Sequence, residues 1–359
     1  MKRLLRIVLC LLALLIIAVI CYVAYVLLTY YRLEDNLPLE LEQTNETAVT
    51  ATVGERYRLV SYNIGFGAYS DDYSFFMDGG EESRARSEAA VYENVGEAVK
   101  TAREADPDFL FLQEVDVDGT RSYHVDEYAY ACTLLPSLGQ RVFAQNYDSP
   151  YLFWPLLEPH GANQAGQATF SRYTISSALR RSLPIEGGVM KLVDLDRCYS
   201  VSRIPLENGK ELVLYNFHLS AYTSDGTIAE DQLKMLFADM SAEYASGNYA
   251  IAGGDFNKDI FGNSSEIFGV SGEAYTWAQP IPQELIPEEL SIVAPFDEAN
   301  PVASCRNADR PYGPDNYLVT VDGFIVSANV TVEKAAVIDT GFRWSDHNPV
   351  YMDFILNSD

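Results

Sequence analysis

The chain has 359 residues, 48% of them hydrophobic and 12% aromatic, which is enough for one large core or two small ones and excludes a disordered protein. Asp and Glu number 51 against 25 Lys and Arg, a formal net charge of −26. At long range that charge repels polyanions and weighs against nucleic acid, unless a bound metal or a local basic patch intervenes.

Lys2, Arg3 and Arg6 precede an uncharged run rich in Leu, Ile, Val and Ala from Ile7 to Tyr31. At about 25 residues it exceeds the roughly 20 that cross a bilayer as a helix, and it is longer than the apolar region of a cleaved signal. No small-x-small site closes it, so the expectation is an uncleaved single-pass anchor. Cys10 and Cys21 follow Leu9 and Ile20 rather than a small residue, and read as lipid-facing, not lipidated. Three basic residues lie before the span, whereas Arg32 alone closes it ahead of Glu34, Asp35, Glu40 and Glu42. This bias keeps the N-terminus in the cytoplasm and the remainder outside the membrane.

Residues 1–32 thus form a cytoplasmic tip and anchor, and 33–56, polar and without sustained period, a linker. Residues 57–357 form one domain. Its cysteines, Cys132, Cys198 and Cys305, are odd in number and signal no disulfide framework, though one pair stays open.

Within the domain short apolar runs alternate with amphipathic stretches, the pattern of an α/β protein. Strands are expected at Arg58–Tyr62, Phe109–Gln113, Leu212–Phe217, Tyr249–Gly253, Leu318–Val326 and Val350–Leu356. The spacing of Val91, Val95, Ala98, Val99 and Ala102 predicts a helix over Ser87–Arg103, stopped by Asp106-Pro107. A second helix is expected over about Thr227–Tyr244, with Leu233, Leu236, Phe237 and Met240 on its core face.

Six of the strand-like runs end in, or contain, polar residues that a core strand would avoid: Asn63, Glu114, His218, Asp255 with Asn257, Asp322, and Asp346 with His347. Each alone reads as a turn residue or a solvated strand end. Asp322 is the exception, because Val321 and Phe324-Ile-Val surround it and a carboxylate there must be paired. Together they supply hard oxygen ligands without a Cys/His pattern, which selects Mg²⁺, Mn²⁺ or Ca²⁺ over structural zinc. A cation, a carboxylate to take a proton from water, and donors for phosphate oxygens are the parts of a phosphoryl-transfer site.

Tyr62-Asn-Ile-Gly65, Phe111-Leu-Gln-Glu114, Asn216-Phe-His-Leu219, Gly254-Asp-Phe-Asn257, Val321-Asp-Gly-Phe324 and Ser345-Asp-His-Asn-Pro349, in this order, resemble the motif set of the endonuclease/exonuclease/phosphatase superfamily. Its members include pancreatic-type deoxyribonucleases, apurinic endonucleases, inositol-phosphate 5-phosphatases and neutral sphingomyelinases. The resemblance implies a four-layer α/β sandwich, two mainly antiparallel sheets face to face with helices outside. It implies metal ligation by Glu114, assisted by Asn63 and Asp346. It further implies that Asp255 activates water, Asn257 holds phosphate or a second metal, His347 contacts phosphate with Asp322 fixing its tautomer, and His218 is an acid for the leaving oxygen. His218 and Ala221 stand where apurinic endonucleases resemble one another in a tyrosine and an asparagine, which disfavours the abasic-site branch. Gly166-Gln167 replaces the usual Gly-Asn of the middle motif.

The implied activity is hydrolysis of a phosphodiester or phosphomonoester of a small molecule or lipid headgroup. An extracytoplasmic DNA or RNA endonuclease and a non-catalytic surface binding module are the alternatives; no protein partner is implied. Arg306 and Arg310 lie in a loop from which they could grip a phosphate. Two aromatic segments, 69–80 and 147–160, carry more rings than a solvated loop needs. Packing against the sandwich accounts for them, or else a substrate wall or a surface at the bilayer interface.

Overall fold

A computed structural model describes residues 1–44, 49–188, 191, 195–221, 227–270 and 277–358. A long helix, α1 (Lys2–Thr29), is followed by two short strands, β1 (Leu37–Pro38) and β2 (Glu42–Gln43), then β3 (Arg56–Asn63), α2 (Glu88–Glu104), β4 (Phe109–Gly119) and α3 (Glu127–Leu134). Four strands come next: β5 (Gln140–Asp148), β6 (Asn163–Ser171), β7 (Ser177–Ser182) and β8 (Cys198–Pro205). Then come β9 (Glu211–His218), α4 (Thr227–Ala245), β10 (Tyr249–Asp255) and α5 (Ser264–Ile267). The chain closes with β11 (Leu290–Val293), β12 (Cys305–Arg306), β13 (Leu318–Val319), β14 (Asp322–Ser327), β15 (Val330–Val337) and β16 (Val350–Leu356).

The strands build two seven-stranded sheets, ordered β1-β7-β8-β9-β10-β14-β11 and β15-β16-β3-β4-β6-β5-β2, and a two-stranded ribbon of β12 and β13. Each large sheet is antiparallel except for one pair, β9 with β10 and β3 with β4. A parallel pair needs a crossover, and here each crossover contains a helix, α4 in the first case and α2 in the second. These helices cover the outer faces. Val91, Val95, Ala98, Val99 and Ala102 of α2 are buried with Val60, Leu110 and Leu112, and Leu233, Leu236, Phe237 and Met240 of α4 with Val213, Ala250 and Ile325. Between the sheets lie Leu59, Phe109, Phe111, Leu214, Ile251, Phe324 and Met352. The result is the four-layer sandwich.

Local signals set the ends of α2. Ser87 Oγ accepts the N–H of Ala90 at 3.1 Å, a cap worth about 1 kcal/mol, and Asp106 in the left-handed region turns the chain away before Pro107. The run expected as one strand over Leu318–Val326 is two: β13 pairs with β12, and β14 pairs with β10. Thr320 and Val321 carry the chain between them, with the Val321 N–H donated to Ser304 Oγ and its carbonyl accepting the N–H of Phe256.

Helix α1 is long and apolar enough to cross a membrane, and only Val26 on it is buried. The segment after it is fastened to the domain: β1 extends one sheet beside β7, and β2 extends the other beside β5. Arg32 Nε donates to Asp196 Oδ1 at 2.7 Å, and Asp35 Oδ1 accepts the Ser182 N–H at 2.9 Å. All five cysteines are free.

Candidate active site

The topology collects the polar strand ends at one edge of the sandwich. Parallel strands share a C-terminal edge, so β3 with β4 and β9 with β10 deliver Asn63, Glu114, His218 and Asp255 there. The antiparallel β14 begins at that same edge, with Asp322, and the loop entering β16 brings Asp346 and His347. Asp255 pairs in register with His218 on one side and Asp322 on the other, and directly opposed residues project from the same face.

The two sheets meet through Asn63. Its Nδ2 donates to Glu114 Oε1 and to Asp255 Oδ2, both at 3.1 Å, while its Oδ1 accepts the N–H of Gly65 at 3.0 Å. Glu114 lies at a register shift in β4 with φ +53°, and Asn257 has φ +49°. Both are strained left-handed conformations for residues with side chains, a kind of strain that concentrates at functional sites. The bulge aims Glu114 into the cleft.

On the other wall His347 Nδ1 bonds Asp322 Oδ2 at 2.7 Å, which meets the requirement that the buried Asp322 carboxylate be paired. His347 Nε2 lies 3.7 Å from Asp255 Oδ2 and 3.6 Å from Cys305 Sγ. Burial opposes charge on His347, but Asp322, Cys305 and Asp346 overcome it and hold the imidazolium well above its usual range. Burial, opposed by His347 and reinforced by Asp322, pushes Asp255 up to about 7. Burial likewise raises Asp346 to about 6, against His347 and with the help of Glu114. His218 moves the other way: burial, then Arg197 and His347, hold it neutral. Its Nε2 lies 3.5 Å from Asp255 Oδ2, and its Nδ1 has no partner among the described residues. The neutral ring changes the acid role expected of His218, since it can donate a hydrogen bond but carries no proton to spare near neutral pH.

A divalent cation fits beside Glu114. Glu114 and Asp346 repel one another, and among the described residues neither has a lysine or arginine ion-pair partner. The two carboxylates are hard-oxygen donors whose missing element is positive charge, while the neighbouring Asn63 carboxamide presents its Nδ2 to Glu114 and its oxygen to the Gly65 N–H. Asp255, Asp322 and His347 form a second group whose candidate ligand atoms lie within 4.8 Å of one another. There the imidazolium already supplies the positive charge, so the Glu114 side is the better fit.

Asn257 donates its Nδ2 to the Leu219 carbonyl at 2.8 Å, and its N–H to Asp255 Oδ1 at 2.8 Å, bracing the carboxylate. The two loop arginines are held differently, and Arg306 alone of them lines the cleft, its Nε without a partner among the described residues. Arg306 is 1% exposed and donates to the carbonyls of Ser70, Tyr73, Asn307 and Arg310, a clamp between loops, and Arg310 is exposed and paired with Asp309. The sequence reading missed Arg197 and Arg121. Arg197, just before β8, is 7% exposed, lines the cleft beside His218, and has no partner for its Nε among the described residues. Arg121 also lines the cleft, ion-paired to Asp116 at 2.7 Å and stacked over Phe66 at 3.9 Å. Gln167 is buried between the sheets, donating to the Asn216 carbonyl at 2.8 Å, and so serves packing.

A model of the Endonuclease/Exonuclease/phosphatase family matches residues 60–347, from the strand carrying Asn63 to His347. The chain belongs to this family. A solved endonuclease/exonuclease/phosphatase from Beutenbergia cavernae DSM 12333 superposes with a TM-score of 0.57 at 17% identity, covering 84% of this chain and 72% of that one. ANGEL2, a 2′,3′-cyclic phosphatase, in complex with adenosine-2′,3′-vanadate, gives a TM-score of 0.54 at 18% identity, covering 89% and 99%. Danio rerio TDP2 ("D. rerio") complexed with a single-strand DNA product gives 0.52 at 14% identity, covering 84% and 99%. No curated protein matches the sequence. Members of the endonuclease/exonuclease/phosphatase family act on phosphate ester bonds, generally with a divalent metal, and the likeness to the solved structures at these identities establishes the shared fold.

Proposed function

We propose that this family member is a membrane-anchored, Mg²⁺-dependent phosphoesterase that hydrolyses a phosphodiester or phosphomonoester of a small molecule or lipid headgroup. The observation that carries the reading is the buried Asn63 carboxamide, which joins Glu114 of one sheet to Asp255 of the other beneath the polar end of the cleft. Glu114, Asp346 and Asn63 would hold Mg²⁺, with Mn²⁺ or Ca²⁺ as substitutes; when bound, it neutralises charge at the phosphate.

The remaining roles fall to the chain's own groups. Asp255, with its pKa near 7, is matched to accept a proton from water at neutral pH. His347, charged and held by Asp322, donates from Nε2 to a phosphate oxygen. His218 contributes a neutral N–H and Asn257 orients Asp255 while facing the phosphate. Hydrolysis forms one phosphorus–oxygen bond from water and breaks one ester bond, the water's proton ending on the released alcohol.

In this reading residues 1–32 anchor the chain with Lys2, Arg3 and Arg6 in the cytoplasm, 33–56 connect, and 57–357 form the catalytic domain outside the membrane. The net charge of −26 weighs against a polyanionic substrate. The test is Mg²⁺-dependent release of phosphate or phosphorylated headgroup from lipids, nucleotides and inositol phosphates by the full chain. Turnover confined to plasmid DNA would replace the reading with a nuclease, and no metal binding at all would replace it with a binding module.

A further inference from the structure

The cleft extends far beyond the polar centre. Its volume is about 620 Å³, and it runs from Asp255 and His347 past Phe75, Phe76 and Met77 to Trp154 and Tyr22. Both aromatic segments singled out in the sequence therefore wall the same cavity. Their inner parts, Tyr69, Tyr73 and Phe75, are buried in the sandwich. The outer part is different: Phe153, Trp154, Leu156 and Leu157 stand 51%, 65%, 73% and 101% exposed in one short loop. A contiguous apolar tip of this kind marks an interaction surface.

The occupant of that surface follows from where the loop sits. Tyr22 of α1 donates its hydroxyl to the Tyr151 carbonyl at 3.1 Å, Tyr151 N–H donates to Tyr25 Oη at 3.0 Å, and the rings of Tyr22 and Phe153 meet edge-on at 4.9 Å. At about 1.5 Å per residue, a span beginning at Ile7 uses roughly 20 residues to cross a hydrocarbon core of about 30 Å. Tyr25 then falls at the outer boundary of the bilayer, where Tyr and Trp rings are favoured, and Tyr22 about one helical turn inside it. The loop docked on them points its apolar tip into the same leaflet. At the inner end lies the buried guanidinium of Arg197, its Nη1 donating to the His218 carbonyl and its Nε without a partner among the described residues.

Resting on the phosphoesterase reading above, we infer that the substrate is a phospholipid of the bilayer that α1 occupies. Its phosphate sits at the polar centre, and an acyl chain lies along the wall formed by Phe76, Met77, Trp154 and Tyr22. The 152–157 loop is an insertion device that opens the cleft to the leaflet, so that a lipid enters without crossing water. One water-derived oxygen joins phosphorus, one phosphoester bond breaks, and the proton leaves on the released alcohol.

The test uses the full chain in proteoliposomes with Mg²⁺. It compares hydrolysis of the host lipids, an equimolar mixture of phosphatidylcholine, phosphatidylglycerol, phosphatidylinositol and sphingomyelin, with hydrolysis of soluble bis(p-nitrophenyl) phosphate. The expected result is turnover of at least one lipid, lowered about tenfold or more in Leu157→Glu, which charges the exposed loop tip outside the cleft lining, with the soluble ester within about twofold of wild type. Turnover of the soluble ester without any lipid, or lipid turnover indifferent to the loop variant, overturns the lipid inference and leaves the phosphoesterase reading standing. Equal loss on both substrates also overturns the insertion role. Failure on both substrates by the wild type overturns the two together.

Discussion

His218 and Asp255 face each other across the parallel pair β9 and β10, with Nε2 and Oδ2 3.5 Å apart. The register that makes them neighbours depends on the preceding residue. Gly254, at φ +152°, is so close to β9 that a Cβ would stand 1.9 Å from the Phe217 carbonyl oxygen. Gly254→Ala must push the strands apart, and a destabilisation of about 1–3 kcal/mol is expected, with a matching loss of activity. Denaturant melts of the variant measure it; an unchanged midpoint would show that the strand pair tolerates the methyl group.

Glu114→Gln keeps the shape of the side chain and removes the charge that answers a cation. Mg²⁺ affinity by calorimetry should fall sharply and turnover by about 10²–10³-fold, while circular dichroism stays that of the wild type. Wild-type turnover in this variant would remove Glu114 from the mechanism.

Asp322 acts on the reaction through the His347 imidazole that it holds and through its charge beside Asp255. In Asp322→Asn, burial of the imidazole is opposed by one carboxylate fewer, Asp346 remaining, and the ring loses its largest charge partner and the carboxylate that fixes its tautomer. The expected outcome is a fall in kcat of about 10²–10⁴-fold with KM little changed. A change confined to KM would assign Asp322 to substrate binding instead.

Arg197 bears on binding more than on chemistry. Arg197→Gln removes from the cleft wall a cation that has no carboxylate partner among the described residues, and KM for an anionic ester should rise about tenfold with kcat retained. An unaltered KM would return Arg197 to a packing role.

His160, on the wall of the same cleft, provides a pH signature of opposite kind to that of the catalytic carboxylates. Its Nδ1–H donates to the Ser83 carbonyl at 2.8 Å, and burial, followed by Arg121, holds its pKa down at about 3. The unfolded chain takes up this proton near pH 6.5 and the folded chain does not, so stability falls as pH drops from about 6.5 toward 3. At pH 5 the loss is about 2 kcal/mol. Hydrogen exchange across residues 147–163 should accelerate between pH 7.5 and 5 after correction for intrinsic rates, and His160→Asn should abolish the excess.

What could be read from the sequence were the places where chemistry and patterning coincide. Leu59-Val-Ser-Tyr-Asn63 and Ala250-Ile-Ala-Gly-Gly-Asp255 are buried runs ending in polar groups, so strand and site announced themselves together. β7 and β8 did not, because Ser-Ala-Leu-Arg-Arg-Ser and Cys-Tyr-Ser-Val-Ser-Arg lack an apolar run. Their stability comes from long-range partners, such as the buried Arg180 guanidinium donating to the Gln145 and Asp196 carbonyls. The same blindness exchanged the arginines. Arg306 resembled a phosphate grip because the carbonyls that occupy it lie about 235 positions away in sequence, at Ser70 and Tyr73, and Arg197 stood at the head of a strand that pattern alone does not reveal.

Residues 32–43, stitched by Arg32, Asp35, β1 and β2 to both sheets, leave no slack between the helix and the domain. With α1 in a bilayer, the cleft mouth is held at a fixed height and tilt, like a tool clamped to a bench. Its encounters are then governed by lateral diffusion and by the number of substrate molecules per unit area, so that diluting the ester within the membrane should slow turnover while diluting the vesicles should not.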